Sequence, residues 1–138
     1  MNHYHLSDLA AGQSASFSVT VTAEMLDAFR AITGDTNILH NDAAYAREKG
    51  YPDRVVYGML VASLYSTLAG VYLPGEFSLL HEVDTKFKKP VFIGDTLTVT
   101  GTVAEVSETF RRVEIEAKIV NQAGATVNRG RITAGVTA

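Results

Sequence analysis

The stretch Val55-Val56-Tyr57-Gly58-Met59-Leu60-Val61-Ala62-Ser63-Leu64-Tyr65-Ser66-Thr67-Leu68-Ala69-Gly70-Val71-Tyr72-Leu73-Pro74-Gly75 contains no charged residue. Its pattern predicts a helix over about residues 58–72, carrying Leu60, Val61, Leu64, Tyr65, Leu68, Val71 and Tyr72. The only weakly polar stripe is Ser63, Ser66, Thr67 and Gly70, spaced three and four apart. A helix apolar nearly all round must be covered nearly all round. A membrane span is the rival account, and the serines, the threonine and the short length argue against it. A helix wrapped by a curved sheet fits better.

The second half supplies such a sheet. Leu97, Val99 and Val103 alternate with Thr96, Thr98, Thr100 and Thr102, and Val113, Ile115, Ala117 and Ile119 alternate with Glu114, Glu116 and Lys118. One buried and one wet face is the mark of an antiparallel sheet. Asn121-Gln122-Ala123-Gly124 reads as a hairpin turn. Ile132, Ala134 and Val136 continue a last strand with Val127 in the opposite phase, so a bulge is expected near Gly130. Upstream, Ser16–Val21 alternates as a strand, Thr22 is placed to cap a helix through Met25, Leu26, Phe29 and Ile32, and Gly34 ends it. Asp42 is placed to cap a short second helix ending near Gly50. The expected class is α+β, an antiparallel sheet with helices on one face, in a single domain over residues 1–138.

Composition narrows the chemistry. The chain has 138 residues, a net charge of −3 and no cysteine. Thiol nucleophiles, thiolate metal sites and disulfides are excluded. No basic excess exists to pair with nucleic-acid phosphates. Met1-Asn2-His3-Tyr4-His5 lacks the basic and apolar regions of a signal peptide, so a soluble, cytoplasmic protein without membrane partner is expected. His3 and His5 read as flexible terminal histidines, with a metal-binding tail as the sharper alternative.

The candidate chemistry lies in Gly34-Asp35-Thr36-Asn37-Ile38-Leu39-His40, just past a helix end. A carboxylate and an imidazole five positions apart in a turn-forming stretch can meet at one point. Taken alone, Asp35 also reads as a turn residue and His40 as a partly buried histidine. His81, Glu82 and Asp84 form a further polar group that reads as a solvated strand face.

The block Thr33–Asp42, with Ala46 after it, resembles the hydratase motif of the MaoC-like (R)-specific enoyl-CoA hydratases. Val56–Leu64, Leu73-Pro74-Gly75 and Phe87–Asp95 resemble that family's later blocks, in order, and the likeness covers about residues 14–136. The resemblance implies a single hot-dog fold, an antiparallel sheet wrapped around a long central helix, and a homodimer with sites near the subunit interface. It implies Asp35 and His40 as catalytic pair, Gly58 as the backbone donor to the thioester oxygen, and Ser66 as the serine of the central helix. Asn37 is expected to hold the motif loop, and Ser66 either to contact the thioester or to pack a small face. Two departures stand out: Ile38 where the family has proline, and Tyr57 where it has histidine, which changes the polar lining beside Gly58.

The implied reaction is reversible addition of water to a trans-2-enoyl thioester, giving the (R)-3-hydroxyacyl product. His40 takes the water's proton, while Asp35 orients that water and protonates C2. No cofactor is implied beyond the coenzyme A or phosphopantetheine of the substrate, and no metal. The alternatives are a dehydratase acting on an acyl carrier protein substrate, a thioesterase, and a non-catalytic acyl-thioester-binding protein. Lys86, Lys88, Lys89, Arg111, Arg112, Arg129 and Arg131 are the cations available to a thioester carrier.

Overall fold

The computed structural model describes all residues, Met1–Ala138. After a 3-10 turn at Leu6–Asp8 come β1 (Ser14–Thr20), α1 (Ala23–Thr33), α2 (Ile38–Asn41) and α3 (Ala43–Glu48). The central helix α4 (Gly58–Thr67) continues as a π-helical turn, Leu68–Tyr72. Four strands follow: β2 (Ser78–Phe87), β3 (Thr96–Ser107), β4 (Arg112–Val120) and β5 (Thr126–Val136). With β1 they form one five-stranded antiparallel sheet in the order β1-β3-β4-β5-β2, so β1 and β2 are its edges.

Local rules set the helix ends. Thr22 Oγ1 accepts from Met25 N at 3.3 Å, and Gly34 stops α1 at φ 74°, where glycine pays no Cβ penalty. Asp42 Oδ1 accepts from Tyr45 N at 2.9 Å at the start of α3. No side chain caps α4, so its first N–H groups stay available.

The inward faces of β3, β4 and β5 close on the central helix. Val99, Val103, Val113, Ile115, Ile119, Ile132 and Ala134 pack with Val61, Tyr65, Leu68 and Ala69 in one buried cluster. Each fully buried aliphatic side chain contributes about 1.5–3 kcal/mol relative to exposure. Sheet glycines allow the close approach. A Cβ at Gly101 would lie 2.8 Å from Leu68 Cδ2, and one at Gly130 2.7 Å from Tyr65 Cε2. No helix is long and apolar enough to cross a membrane.

Two expectations are corrected. The bulge in β5 falls at Val127, not near Gly130: Ile119 faces Asn128 and Val120 faces Thr126, which leaves Val127 as the extra residue. It thereby turns both Val127 and Asn128 inward. The N-terminus is tied down: His3 bridges to Gly75, its ring meets Glu76 at 2.5 Å, and Asn2 N donates to Val71 O at 2.8 Å. The central helix is covered nearly all round, as expected, and its open face carries Met59, Ser63 and Ser66, turned to a cleft. The sequence also did not mark how exposed β2 is. Leu79, Leu80, Val83 and Phe87 leave it as an apolar edge strand.

Candidate active site

The cleft lies between α1, the motif loop, the start of α4 and the inward side of β2. Its volume is about 840 Å³, and Asp35, His40, Tyr57, Gly58 and Ser66 all border it. The fold therefore brings together five of the six residues singled out from the sequence. The sixth, Asn37, is outside the lining. Its Oδ1 accepts from Leu39 N at 2.9 Å and caps α2, which holds the loop that presents its neighbours.

The motif loop is shaped by side chains bonding to backbone. Thr33 Oγ1 accepts from Asp35 N at 3.2 Å, and Asp35 Oδ1 accepts from Asn37 N at 3.0 Å. One carboxylate oxygen of Asp35 is thus engaged locally, an Asx turn, and the other is left for the cleft. The Asp35 carbonyl is fixed separately, by the Tyr57 hydroxyl at 2.5 Å.

His40 is held on both sides. Its Nδ1 lies 2.6 Å from the Val55 carbonyl oxygen. A carbonyl only accepts, so Nδ1 is the donor here, and in the neutral ring Nε2 is the nitrogen left with a lone pair. Arg54 Nε donates to the His40 carbonyl at 2.7 Å, and its Nη2 reaches Asp27 Oδ1 at 3.2 Å. The imidazole also stacks on Tyr57, with centroids 4.2 Å apart.

Tyr57 is therefore a support beneath the motif. It is buried, its ring contacts both Phe29 and His40, and its hydroxyl accepts from Asn41 Nδ2 at 3.0 Å while donating to Asp35. Asn41 Nδ2 also donates to the Asn37 carbonyl at 2.8 Å, and Arg30 Nη1 donates to Asn41 Oδ1 at 3.0 Å. One chain of polar contacts thus runs from α1 to the carboxylate loop. Ile38, at the first position of α2, is about half exposed and takes no part in it.

Gly58 opens α4. Its N–H belongs to the unpaired first turn, at the positive end of a ten-residue helix. A Cβ here would lie 3.0 Å from Phe87 Cδ1 and Cε1, so glycine lets that ring rest against the donor. Ser63 Oγ is spent on the Leu60 carbonyl at 2.6 Å, whereas Ser66 borders the cleft.

Deeper lie residues that sequence reading did not single out. Tyr65 OH and Thr85 Oγ1 both donate to Asn128 Oδ1, at 2.8 and 2.9 Å. Burial pushes the Tyr65 phenol above the usual tyrosine range, and the Arg129 charge draws it part of the way back. The phase break at Val127 is the one sequence signal that could have marked Asn128 as inward. Arg54 and Phe87 carry no comparable signal, because their roles depend on which strands meet.

Residues 8–125 match the family of the MaoC like domain, and the chain belongs to that family. It is 37% identical over 122 residues to an (R)-specific enoyl-CoA hydratase of Aeromonas caviae, covering 88% of this chain and 91% of that protein. It is 35% identical over 130 residues to an (R)-specific enoyl-CoA hydratase of Rhodospirillum rubrum, covering 90% of each. Among solved structures, the R-hydratase PhaJ1 of Pseudomonas aeruginosa superimposes with a TM-score of 0.90 at 32% identity, over 96% of this chain and 84% of that one. The helix within its sheet is the single hot-dog fold of that family.

Proposed function

We propose that this chain is an (R)-specific enoyl-CoA hydratase, adding water reversibly to trans-2-enoyl-CoA thioesters to give (R)-3-hydroxyacyl-CoA. The observation that carries this reading is one cleft bordered by the His40 imidazole, the Asp35 carboxylate and the uncapped helix start at Gly58. The product's hand follows from the hydratases that the chain resembles.

In this reading His40 Nε2 accepts a proton from water as the oxygen bonds to C3. The electron pair of the C2–C3 double bond shifts toward the thioester, and charge gathers on its oxygen. The Gly58 N–H stabilises that oxygen, a contribution worth about 10²–10³ in rate for such a donor. The proton that His40 took from the water passes to the Asp35 carboxylate and from it to C2, so the water supplies both the C3 hydroxyl and the C2 hydrogen, and both side chains end as they began. Tyr57 and Asn37 position the pair, and Ser66 contacts the bound thioester.

The working form is a homodimer in the cytoplasm, in which the exposed edge of β2 is covered by a second copy. Leu80 and Val83 lie both on that edge and in the cleft wall, so a partner there would finish the chamber. Coenzyme A, and not an acyl carrier protein, is the carrier.

Hydration of crotonyl-CoA, followed by loss of the enoyl-thioester absorbance, tests the reading. Wild type turns over, while Asp35→Asn and His40→Gln each lose about 10²–10⁴ in kcat. Equal rates in all three would overturn the assignment of the pair, and thiol release without hydration would point to a thioesterase.

A further inference from the structure

The inward row of β2 reads Val83, Thr85, Phe87, and all three border the cleft. Residues two apart share one face of a strand, so a single hydroxyl stands between two apolar side chains. Thr85 is half-buried, and its Oγ1 donates to Asn128 Oδ1 at 2.9 Å. Tyr65 OH donates to the same oxygen at 2.8 Å. Thr85 is therefore the open member of a polar trio whose other two side chains are buried.

Several features of the sheet build this trio. The extra residue at Val127 turns Asn128 inward. Gly130, opposite Thr85 in the register, makes room for the Tyr65 ring, since a Cβ there would lie 2.7 Å from Tyr65 Cε2. The trio also carries a cost. Asn128 is the one fully buried amide of the chain, and its Nδ2 has no hydrogen-bond partner. Apolar side chains of the same shape would avoid that loss, so stability does not explain the trio. Local rules are broken in this way chiefly where a ligand is handled. The amide also works in two directions. With Oδ1 toward the hydroxyls, both donate to it, and the Thr85 oxygen keeps lone pairs to accept from a ligand hydroxyl. With oxygen and nitrogen exchanged, Nδ2 donates to both, and the Thr85 proton is free for a ligand carbonyl. Each orientation leaves one amide atom over, so neither is strongly preferred.

We propose that Thr85 determines specificity by bonding a hydroxyl or carbonyl oxygen on the acyl chain, so that the cleft takes oxygenated 2-enoyl thioesters. Asn128 and Tyr65 position its hydroxyl and set whether it accepts or donates. The proposal rests on the hydratase reading of the cleft and names the acyl group that the cleft selects. The place of the oxygen follows from the strand. Phe87 rests on Gly58, where the thioester carbonyl is held. Thr85 lies two residues further along β2, roughly 7 Å, which an extended acyl chain covers by about its sixth carbon. A plain alkyl chain leaves the spare bonding capacity of Thr85 unused.

The test compares trans-2-octenoyl-CoA with its 6-hydroxy and 6-oxo derivatives. Wild type hydrates at least one oxygenated substrate as well as the plain one. In Thr85→Val the ratio of kcat/KM, oxygenated over plain, falls about tenfold, through KM, as expected when a ligand oxygen loses its partner. Thr85→Ser keeps a hydroxyl and holds the ratio near the wild-type value. An unchanged ratio in Thr85→Val, or an equal loss on all three substrates, overturns the proposal. So does a wild type that prefers the plain substrate over both others, a result that depends on no variant. If wild type hydrates none of the three, the hydratase reading fails on its own. Calorimetry with the saturated octanoyl-CoA and 6-hydroxyoctanoyl-CoA then decides the site. A tenfold fall in their affinity ratio between wild type and Thr85→Val supports it, and an equal ratio overturns it.

Discussion

The Tyr57 hydroxyl donates to the backbone carbonyl of Asp35 at 2.5 Å while the Tyr57 ring stacks on His40 at 4.2 Å. One buried side chain thus touches both members of the proposed dyad. Tyr57→Phe keeps the ring and removes the hydroxyl, which leaves the Asp35 carbonyl and Asn41 Nδ2 each short of a partner. The expected cost is about 1–3 kcal/mol in stability. The expected loss in kcat is roughly ten- to a hundredfold, with KM little changed, because the loop is misplaced and not removed. Urea denaturation and steady-state kinetics check both.

Gly58 and Phe87 should be coupled. In Gly58→Ala the new methyl meets the Phe87 ring at 3.0 Å, and either the ring or the helix start must yield. About a tenfold loss of kcat/KM is expected. Phe87→Leu in the same chain should recover much of it, giving a coupling of about 0.5–3 kcal/mol in a double-mutant cycle. Strictly additive effects would show that the ring does not constrain the donor.

Val83 sits on the open edge of β2 and in the cleft wall. Val83→Lys places a charge where the proposed second copy pairs, a device that blocks edge-to-edge association. Sedimentation should show a dimer for wild type and a monomer for the variant, with activity falling in parallel. A wild-type monomer at full activity would refute the shared chamber.

Tyr65 gives a prediction in alkali. Its phenol is raised above the tyrosine range in the folded chain, first by burial. The folded state therefore favours the protonated form. That contribution is complete below the unfolded value of about 10 and is lost as pH climbs past it toward the raised folded value. Above about pH 10, the urea midpoint of wild type should fall more steeply than that of Tyr65→Phe. Tyr65→Phe should also start lower, since it forfeits the bond to Asn128. Parallel slopes would place the phenol in contact with water.

Much of the architecture was open to reading because it rests on local rules. The uncharged run before Pro74 reads as a helix covered nearly all round, the alternation around Val99 and Ile115 as a half-buried sheet, and Thr22, Gly34 and Asp42 act on neighbours within four residues. The motif loop was legible for the same reason, since Asp35 and Asn37 bond within two residues of themselves. What escaped depends on pairing between distant segments. Arg54 reaches the His40 carbonyl because residues 54–56 run beside the end of α2. Phe87 covers Gly58, and Lys86 meets Arg129, only once β2 takes its register on β5. Asn128 turned inward through one extra residue at Val127, a detail that alternation alone misplaced by three positions.

The π-helical turn at Leu68–Tyr72 fixes chain length as well as composition. It holds Leu68 against the gap at Gly101 and lets Tyr72 stack on Phe17 with centroids 4.8 Å apart. Excising one residue there would restore ordinary winding. It would also rotate everything before the cut by about 100° against everything after it. Gly58 would then swing off its bearing while every hydrophobic identity stayed the same, so a homologue short by one residue in this segment needs a compensating change elsewhere before it can share the same chemistry.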